Sequence, residues 1–212
     1  MHELKTFYVN SLRECLYVLS SSDKKCVLVD PGCQNDRERA RVDEYLEQQG
    51  LTPVCILLTH GHFDHVLSVA YFASKWDIPA VVNAADCGLL KHLRTYTDFF
   101  GMEYLPMDDV EFRYISDGDE LEYAGFHFTV IGTPGHTGGG VCYLVKEERL
   151  LFCGDTLFQG SIGRTDFKES NEEDMIVSLG KLKRLDTDIQ VYPGHGYPTT
   201  IGLELKTNPY LR

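Results

Sequence analysis

The chain has 212 residues, of which 43% are hydrophobic and 25% are charged, and its formal net charge is −12. This composition is typical of a globular protein with a sizeable core, and the negative charge disfavours nucleic acid as the main partner because phosphate backbones would be repelled. No apolar run is long enough to span a bilayer, so we also predict no membrane partner.

In the first half of the chain, hydrophobic patterns predict short strands that alternate with helices. The expected strands cover residues 16–19, 27–29, 54–58 and 80–82. The expected helices cover residues 36–49, 66–76 and 84–93. Gly50 follows the first of these helices and is suited to a left-handed cap. Residues 94–107 are aromatic and aperiodic, so we predict a loop there.

The second half repeats this order. Strands are predicted at residues 126–131, 141–145, 150–153 and 189–192. A helix is predicted over residues 170–185, with Ser170 as its N-cap and Glu173 in the capping-box position. In both halves, strands are followed by a helix and then by a strand that leads into a histidine-bearing turn, at His60 in the first half and at His195 in the second. We therefore predict an α+β fold, one domain over residues 1–212, in which two similar αβ halves pack sheet to sheet with the helices outside.

The seven cysteines indicate the compartment. Their number is odd, and no Cys-x-x-Cys pair occurs among them. Several lie in or beside apolar, strand-like stretches, as small buried thiols do in proteins of a reducing compartment. We therefore predict free thiols and a cytoplasmic location.

Four potential metal ligands fall within six residues, directly after the strand predicted at 54–58. They are His60, His62, Asp64 and His65, and burying them without a metal or a partner would be unfavourable. Gly61 allows the backbone to bend inside this run. A tight turn that opens a helix would direct alternate members to different sides. His60 and His62 could then bind one cation, and Asp64 and His65 another.

Three further donors, His136, Asp155 and His195, each lie in a glycine-rich turn after an apolar segment. His136 would complete the first set and His195 the second, while Asp155 has two oxygens and could bridge both cations. Seven donors exceed what one tetrahedral ion needs but suit two. We predict two divalent ions, zinc first with iron or manganese as alternatives, which generate hydroxide for a hydrolytic reaction. Asp64 and Asp155 are the expected catalytic residues.

Two other residues have two interpretations each. Asp30 could accept a hydrogen bond from a ligand histidine and fix its tautomer, or it could only shape the Asp-Pro-Gly turn. Arg164 could bind an anionic part of the substrate, or it could form a salt bridge to Asp166 or another neighbour. The remaining histidines are expected to be ordinary surface or hydrogen-bonded residues; they are His2, His92 and His127.

The run THGHFDH, from Thr59 to His65, resembles the H-x-H-x-D-H mark of the metallo-β-lactamase superfamily. Further matches are spread over the chain: DPG at Asp30, TPGHTGGG from Thr133, GDTLFQGSIGRTDF from Gly154 and YPGHG from Tyr192. The resemblance implies a four-layer αβ/βα sandwich with a dinuclear metal site at one edge.

Details of the sequence favour one branch of that superfamily. Zinc β-lactamases usually carry Cys or Ser where this chain has Asp155, which argues against antibiotic hydrolysis, and flavodiiron proteins have Glu at the position of His62. The GSIGRTDF stretch and the ending TTIGLELKTNPYL resemble glyoxalase II-like hydrolases, in which the basic residue aligned with Arg164 meets the substrate. Full-length glyoxalase II continues into a helical domain that binds glutathione, whereas this chain stops at Arg212. The expected substrate is therefore a small thioester, and not necessarily S-lactoylglutathione.

Two alternatives to this hydrolase remain. A mononuclear-iron persulfide dioxygenase shares the fold, and its His, His, Asp set maps to His60, His136 and Asp155. A metal-binding domain without catalysis, used in assembly or sensing, is the other. Oxygen uptake with glutathione persulfide and one iron per chain would favour the dioxygenase, whereas an occluded centre without water would favour the non-catalytic domain.

Overall fold

The computed structural model describes residues 2–212, which form two six-stranded β-sheets with helices on their outer faces. The strands of the first sheet lie side by side in chain order: β1 (Glu3–Val9), β2 (Glu14–Ser20), β3 (Lys25–Val29), β4 (Thr52–Leu57), β5 (Ala80–Asn83) and β6 (Phe112–Ile115). The first three strands pair antiparallel, and β3 to β6 pair parallel.

The second sheet is mostly antiparallel, with one parallel pair. Its strands are β7 (Glu120–Tyr123), β8 (Phe126–Gly132), β9 (Val141–Val145), β10 (Leu150–Gly154), β13 (Gln190–Pro193) and β14 (Thr199–Thr200). They lie side by side in the order β14, β13, β10, β9, β8, β7, and the parallel pair is β10 with β13. A two-residue hairpin stands apart from both sheets and consists of β11 (Leu157–Phe158) and β12 (Ser161–Ile162).

Seven α-helices and a 3₁₀ turn (Ala84–Asp86) connect the strands within residues 2–212. The helices are α1 (Asp36–Gln49), α2 (Phe63–Val66), α3 (Val69–Trp76), α4 (Cys87–Lys91), α5 (Leu93–Phe100), α6 (Glu172–Leu182) and α7 (Ile201–Thr207). None of the helices described is both long enough and apolar enough to span a membrane.

Three buried clusters show how the layers pack. The central cluster lies between the sheets and joins side chains of both, such as Tyr17 of β2 and Phe152 of β10. A second cluster covers the outer face of the first sheet and includes Leu46 of α1. The third covers the outer face of the second sheet and includes Leu179 of α6. The predicted fold, a four-layer αβ/βα sandwich with sheet packed on sheet, is therefore confirmed.

Helix α1 has the bounds predicted for it, because its ends are specified locally. The side chain of Asn35 accepts a hydrogen bond from the backbone N–H of Glu38, and Gly50 adopts φ 64°, the left-handed conformation of a C-cap. The helix predicted over residues 66–76 is instead divided into α2 and α3. The division falls at Ser68, whose hydroxyl donates to the Pro31 carbonyl and accepts from the Cys33 N–H.

The prediction of a loop over residues 94–107 was wrong for its first part, which forms α5. Leu93 and Thr97 lie on the buried side of this helix, and Phe100 stacks on Phe63 at 5.0 Å between ring centroids. Leu93, Tyr96 and Phe100 stand at helical spacing, so the segment has the apolar stripe of a helix, which the prediction of an aperiodic loop overlooked. The helix predicted over residues 84–93 is broken at His92 into α4 and the start of α5.

The N-terminus of α6 also differs from its prediction. Asn171, and not Ser170, is the N-cap, since its side chain accepts from the Asp174 N–H at 3.0 Å. The Ser170 hydroxyl donates instead to the carbonyl oxygen of His136 at 2.7 Å. The residue predicted to cap the helix thus supports the loop that carries a predicted ligand.

Candidate metal centre

All seven predicted ligands lie in loops or turns at one edge of the two sheets. The first four follow β4 and extend into α2, while His136 lies between β8 and β9, Asp155 follows β10, and His195 follows β13. Two main-chain hydrogen bonds join the sheets at this edge. The Cys15 N–H donates to Gly194 O, and the Val141 N–H donates to Thr59 O, both at 2.8 Å.

The ligand atoms divide into two sets, within each of which all atoms lie within 4.8 Å of one another. The first triad is His60, His62 and His136, and the second triad is Asp64, His65 and His195. This division is the one that the sequence predicts.

Asp155 lies between the two triads. Its Oδ2 is 3.4 Å from His136 Nε2 and 3.8 Å from His195 Nε2, and its Oδ1 is 3.5 Å from His65 Nε2. A third set of close atoms joins Asp30 to His60 and His65, but both oxygens of Asp30 already accept hydrogen bonds from Thr59. Asp155, whose buried Oδ1 has no hydrogen-bond partner among the described residues, is therefore better placed than Asp30 to bind a cation beside each triad.

Each of the five imidazoles has one ring nitrogen held by an oxygen of the surrounding protein. The pairs are His60 Nδ1 with Thr59 Oγ1 at 3.1 Å, His62 Nε2 with Glu169 Oε1 at 3.0 Å, His65 Nδ1 with Asp30 Oδ2 at 3.0 Å, His136 Nδ1 with Arg164 O at 2.8 Å, and His195 Nδ1 with Leu12 O at 3.2 Å. A carbonyl oxygen can only accept, so His136 and His195 donate from Nδ1 and their neutral rings present an unprotonated Nε2 to the cluster.

Three buried polar atoms of the cluster have no hydrogen-bond partner in the described part of the chain. They are Nε2 of His60, Nε2 of His65 and Oδ1 of Asp155. Leaving a buried polar atom unpaired costs on the order of 1–3 kcal/mol. In addition, Nδ1 of His62 and Nε2 of His136 lie 2.9 Å apart. Cations between these nitrogen and oxygen donors would satisfy all of them, so the residues fit a metal centre.

The electrostatics differ between the triads. Burial lowers the pKa of His60 well below its usual value, and the neighbouring imidazoles lower it further. Burial also lowers the pKa of His136. Around His65 burial acts in the same direction, but Asp64 and Asp155 outweigh it and raise the pKa of His65 to about 10. His60 and His136 are therefore neutral, the form that binds cations, whereas the carboxylates of Asp64 and Asp155 favour positive charge beside them.

The two residues with open interpretations have clear partners. Asp30 adopts φ 49° and accepts two hydrogen bonds from Thr59, so it shapes its turn. It also contacts His65 through Oδ2, so it is placed to fix the tautomer of that histidine as well. The Arg164 side chain is two-thirds exposed and forms two hydrogen bonds to Asp166, each at 2.8 Å. Arg164 nevertheless lines the cavity beside the cluster.

Sequence reasoning missed two acidic residues that contact the triads. Glu169 holds His62, and Glu14 in β2 is fully buried with Oε1 3.9 Å from His65 Nδ1. Burial raises the pKa of Glu14 well above its usual value, and Asp30 raises it further, so this carboxyl is neutral. In the sequence, Glu14 stands out only as an acidic residue at the start of an otherwise apolar strand. No sequence motif points to Glu169.

A cavity of about 550 Å³ opens onto the cluster. Its walls combine ligand residues of both triads with aromatic and aliphatic side chains, and the latter are Leu12, Phe63, Tyr96, Phe158 and Phe167. Both triads and Asp155 are thus accessible to a small molecule from one side.

Comparison with known proteins gives consistent matches over most of the chain. The family model of the metallo-beta-lactamase superfamily matches residues 13–195. A probable metallo-hydrolase of Bacillus subtilis, YqgX, is 37% identical over 195 residues, which are 90% of this chain and 89% of that protein. The hydroxyacylglutathione hydrolase GloC of Haemophilus influenzae is 33% identical over 205 residues, which are 96% of this chain and 95% of that protein.

Solved structures resemble the fold closely. The crystal structure of BLEG-1, a B3 metallo-beta-lactamase, superposes with a TM-score of 0.87 at 34% identity and covers 99% of each chain. The crystal structure of TTHA1623 in a di-iron-bound form superposes with a TM-score of 0.85 at 33% identity, covering 98% of this chain and 100% of that one.

Proposed function

This chain belongs to the metallo-beta-lactamase superfamily, and we propose that it is a metal-dependent hydrolase of small thioesters. The observation that carries the proposal is the pair of triads on one cavity, with Asp155 between them and three buried ligand atoms unpaired. The similarity to a protein described as hydroxyacylglutathione hydrolase supports a thioester as the substrate. We also propose that the chain acts as one domain in the cytoplasm, to which its seven free cysteines lend support.

We propose two divalent cations as cofactors, one held by the first triad and one by the second, with Asp155 as the shared ligand. Zinc is the first choice for mixed imidazole and carboxylate donors, and iron or manganese are alternatives. The similarity to a protein solved in a di-iron-bound form supports a site for two ions. When bound, such ions lower the pKa of a coordinated water and polarise a substrate carbonyl.

The protein side chains orient the centre and receive the substrate. Asp30 holds Nδ1 of His65, so that Nε2 faces the cluster. Asp64 is expected to orient the attacking water, since its Oδ2 faces the cluster and lies 3.2 Å from His195 Nε2. Hydrolysis adds water across the thioester: a C–O bond replaces the C–S bond, and the released thiol takes the remaining proton.

The test is the turnover of S-lactoylglutathione and of simple acyl thioesters by metal-loaded protein, followed by thiol release. His62→Ala should abolish turnover because it removes a member of the first triad. His127→Ala, which changes an exposed histidine of β8, is the matched control and should leave turnover unchanged. Full activity of His62→Ala would overturn the proposal.

Hydrolysis of a β-lactam amide is a second candidate, favoured by the 34% identity to a B3 metallo-beta-lactamase. The same nucleophile could attack either carbonyl, so the assay must compare both substrate classes on one preparation. We expect the rate constant kcat/KM for thioesters to exceed that for a chromogenic cephalosporin. The reverse order would replace the thioester with the β-lactam as the proposed substrate.

A persulfide dioxygenase would need only one iron, held by two histidines and one aspartate. The presence of a second complete triad beside the first favours hydrolysis over that reaction. Oxygen uptake with glutathione persulfide, measured on the iron-loaded protein, distinguishes the two. We expect no uptake above that of a His60→Ala variant.

A further inference from the structure

The walls of the cavity beside the triads are aromatic on more than one side. The ring of Phe167 lies 5.5 Å from the ring of His62 and 5.8 Å from that of His136, both in edge-to-face geometry. Near the second triad, Phe158 lies 6.4 Å from His195. Both triads are therefore flanked by an apolar surface where a substrate would approach.

A further aromatic wall comes from α2 and α5. Phe63 and Tyr96 stack at 5.5 Å with 14° between their ring planes, and both line the cavity. On its outer side Phe63 also stacks on Phe100 at 5.0 Å, which supports the wall from behind. Flat, rigid rings of this kind bind apolar groups well because little conformational freedom is lost on contact.

The charges lining the cavity do not suit a polyanion. Arg164 is the one cationic side chain among the described lining residues other than histidines, and Asp166 already binds it through two hydrogen bonds. The guanidinium also lies 4.4 Å from the Phe167 ring centroid. The carboxylate of Glu169 lies at the same wall. Among the described residues that line the cavity, none therefore offers an unpaired cation to bind phosphate groups of a substrate.

We infer that the preferred thioester carries a bulky apolar acyl group, such as an arylacetyl group, on a thiol without phosphates. This inference rests on the proposed function, because it assigns the acyl part of the substrate to the aromatic cavity. A volume of about 550 Å³ accommodates a phenyl ring together with the thioester and a short thiol.

The experiment compares two thioesters of one neutral thiol, S-acetyl- and S-phenylacetyl-N-acetylcysteamine, on the metal-loaded protein. The phenylacetyl thioester should have a kcat/KM at least about tenfold higher, the scale of apolar pocket discrimination. Tyr96→Ala should reduce this ratio, whereas Tyr114→Ala, which alters an exposed tyrosine of β6, should keep it. The coenzyme A thioester of phenylacetate should react no faster than the N-acetylcysteamine thioester.

The possible outcomes distinguish a failure of the proposed hydrolase function from a failure of the proposed preference for apolar acyl groups. If neither thioester is hydrolysed and S-lactoylglutathione is not turned over either, the proposed function fails; turnover of S-lactoylglutathione alone would overturn only the apolar preference. If both are hydrolysed at equal kcat/KM, the proposed function stands and the apolar preference is overturned. A coenzyme A thioester that reacts faster would overturn the exclusion of polyanionic thiols.

A second, independent observation concerns a buried carboxylate outside both triads. Asp86 ends the 3₁₀ turn after β5 and is 1% exposed. Its oxygens accept three hydrogen bonds: from the Gly61 N–H at 2.8 Å, from the Thr137 hydroxyl at 2.7 Å and from the Gly139 N–H at 2.6 Å. Such a carboxylate is held firmly, since each of its partners is a fixed donor.

The partners of Asp86 belong to the two loops that form the first triad. Gly61 lies between His60 and His62, and Thr137 is the residue after His136. A Cβ atom added at Gly139 would lie 2.6 Å from Asp86 Oδ1, so the second loop approaches the carboxylate as closely as only glycine permits. Each sheet contributes one of these two loops, and Asp86 fixes the distance between the loops.

We propose that Asp86 is a positioning residue that sets the geometry of the first triad without contacting the cation. Asp86→Asn replaces one of the two acceptor oxygens with an N–H donor, which would oppose the backbone N–H of either Gly61 or Gly139. The two loops should then separate, and the first triad should lose affinity for cations by about 10–100-fold, the usual effect of such supporting residues. The second triad should keep its affinity.

The experiment is a titration with Co²⁺ alone, followed by its absorption spectrum, in which the two sites are resolved by affinity. Glu204→Gln is the matched control, because Glu204 is also a fully buried carboxylate with three donors: Gly160 N–H, Thr199 Oγ1 and Asn208 Nδ2. It should leave both affinities unchanged. Thr137→Val, which removes only one donor, should show a smaller loss and covers the case in which Asp86→Asn does not fold. Equal losses at both sites, or none at the first, would overturn the proposal.

Discussion

Asp30 Oδ2 lies 3.0 Å from Nδ1 of His65, and the same carboxylate accepts from the backbone N–H of Thr59 at 2.7 Å and from its hydroxyl at 2.6 Å. One buried side chain thus links the turn after β3, the end of β4 and a member of the second triad. The orientation of His65 depends on this link, because the ring has no other polar contact shorter than the 3.5 Å to Asp155.

Asp30→Asn should weaken metal binding at the second triad by about 10–100-fold. The amide would place an N–H group against Thr59 or His65, where the carboxylate now accepts from both. Competition with a coloured chelator measures the affinity. Asp23→Asn, which changes an exposed aspartate between β2 and β3, serves as the control and should have no effect. An unchanged affinity in Asp30→Asn would mean that Asp30 only shapes its turn.

Metal content should identify the two sites separately. Wild-type protein should contain two ions per chain, and His62→Ala and His195→Ala should each retain one, because each removes a member of a different triad. Elemental analysis of protein dialysed against a weak chelator checks this. His127→Ala should still contain two ions. A wild-type content of one ion would contradict a dinuclear centre and favour the mononuclear alternative.

Gly194→Ala should disrupt the centre by steric overlap alone. A Cβ atom at this position would lie 2.3 Å from Asp155 Oδ1 and 2.5 Å from His65 Cε1, distances that real structures do not tolerate. One of the two side chains must therefore move, and metal affinity should fall. Gly180→Ala is the matched control: its Cβ would meet nothing within 4 Å in α6, so it should stabilise the fold by about 0.5–1 kcal/mol. Equal metal affinity in both variants would contradict the argument.

The ion pair between Asp117 and Lys181 should add stability above the pKa of an unfolded aspartate and lose it in acid. The hydrogen bond from Lys181, at 2.7 Å, lowers the pKa of Asp117, and burial opposes it only in part. A lowered carboxyl pKa contributes stability that disappears as the pH falls below about 4. Because more than half of the Asp117 side chain is exposed, the contribution should stay below about 1 kcal/mol.

The measurement for this pair is the free energy of unfolding in urea at pH 7 and at pH 3. Asp117→Asn should be less stable than wild type at pH 7, and the difference should shrink at pH 3, which is below the usual pKa of an unfolded aspartate. Asp109→Asn, at another exposed aspartate, should show no such change between the two conditions. If Asp117→Asn lost more unfolding free energy relative to wild type at pH 3 than at pH 7, the prediction would be wrong.

Sequence alone predicted the features that depend on neighbouring residues. Helix α1 was predictable because Asn35 and Gly50 specify its ends, and the clustering of the first four candidate ligands because they lie together in one run. The division into two triads followed from the order of side chains within that run. Both depend on local geometry, which a sequence displays directly.

Features that depend on distant partners were not predictable. Asp86 is 53 residues from Gly139, and Glu169 is 107 residues from His62, so neither contact leaves a local pattern. Helix α5 was missed for a different reason: Leu93, Tyr96 and Phe100 stand at helical spacing, but the segment was interpreted as aperiodic. The edge strands β1, β6 and β7 were also not predicted. They lie at the margins of the sheets. The side chains of β1 and β7 alternate between exposed and more buried positions, a signal that the prediction missed, whereas β6 shows no such alternation.

The two main-chain hydrogen bonds between the sheets, Cys15 to Gly194 and Val141 to Thr59, lie beside the loops that carry the ligands. An ion bound across this edge would therefore fasten together segments from opposite ends of the polypeptide. Chelation should loosen the molecule at this join first, so that amide hydrogen exchange accelerates in β9 and the start of β2 before it does in the distant half of either sheet.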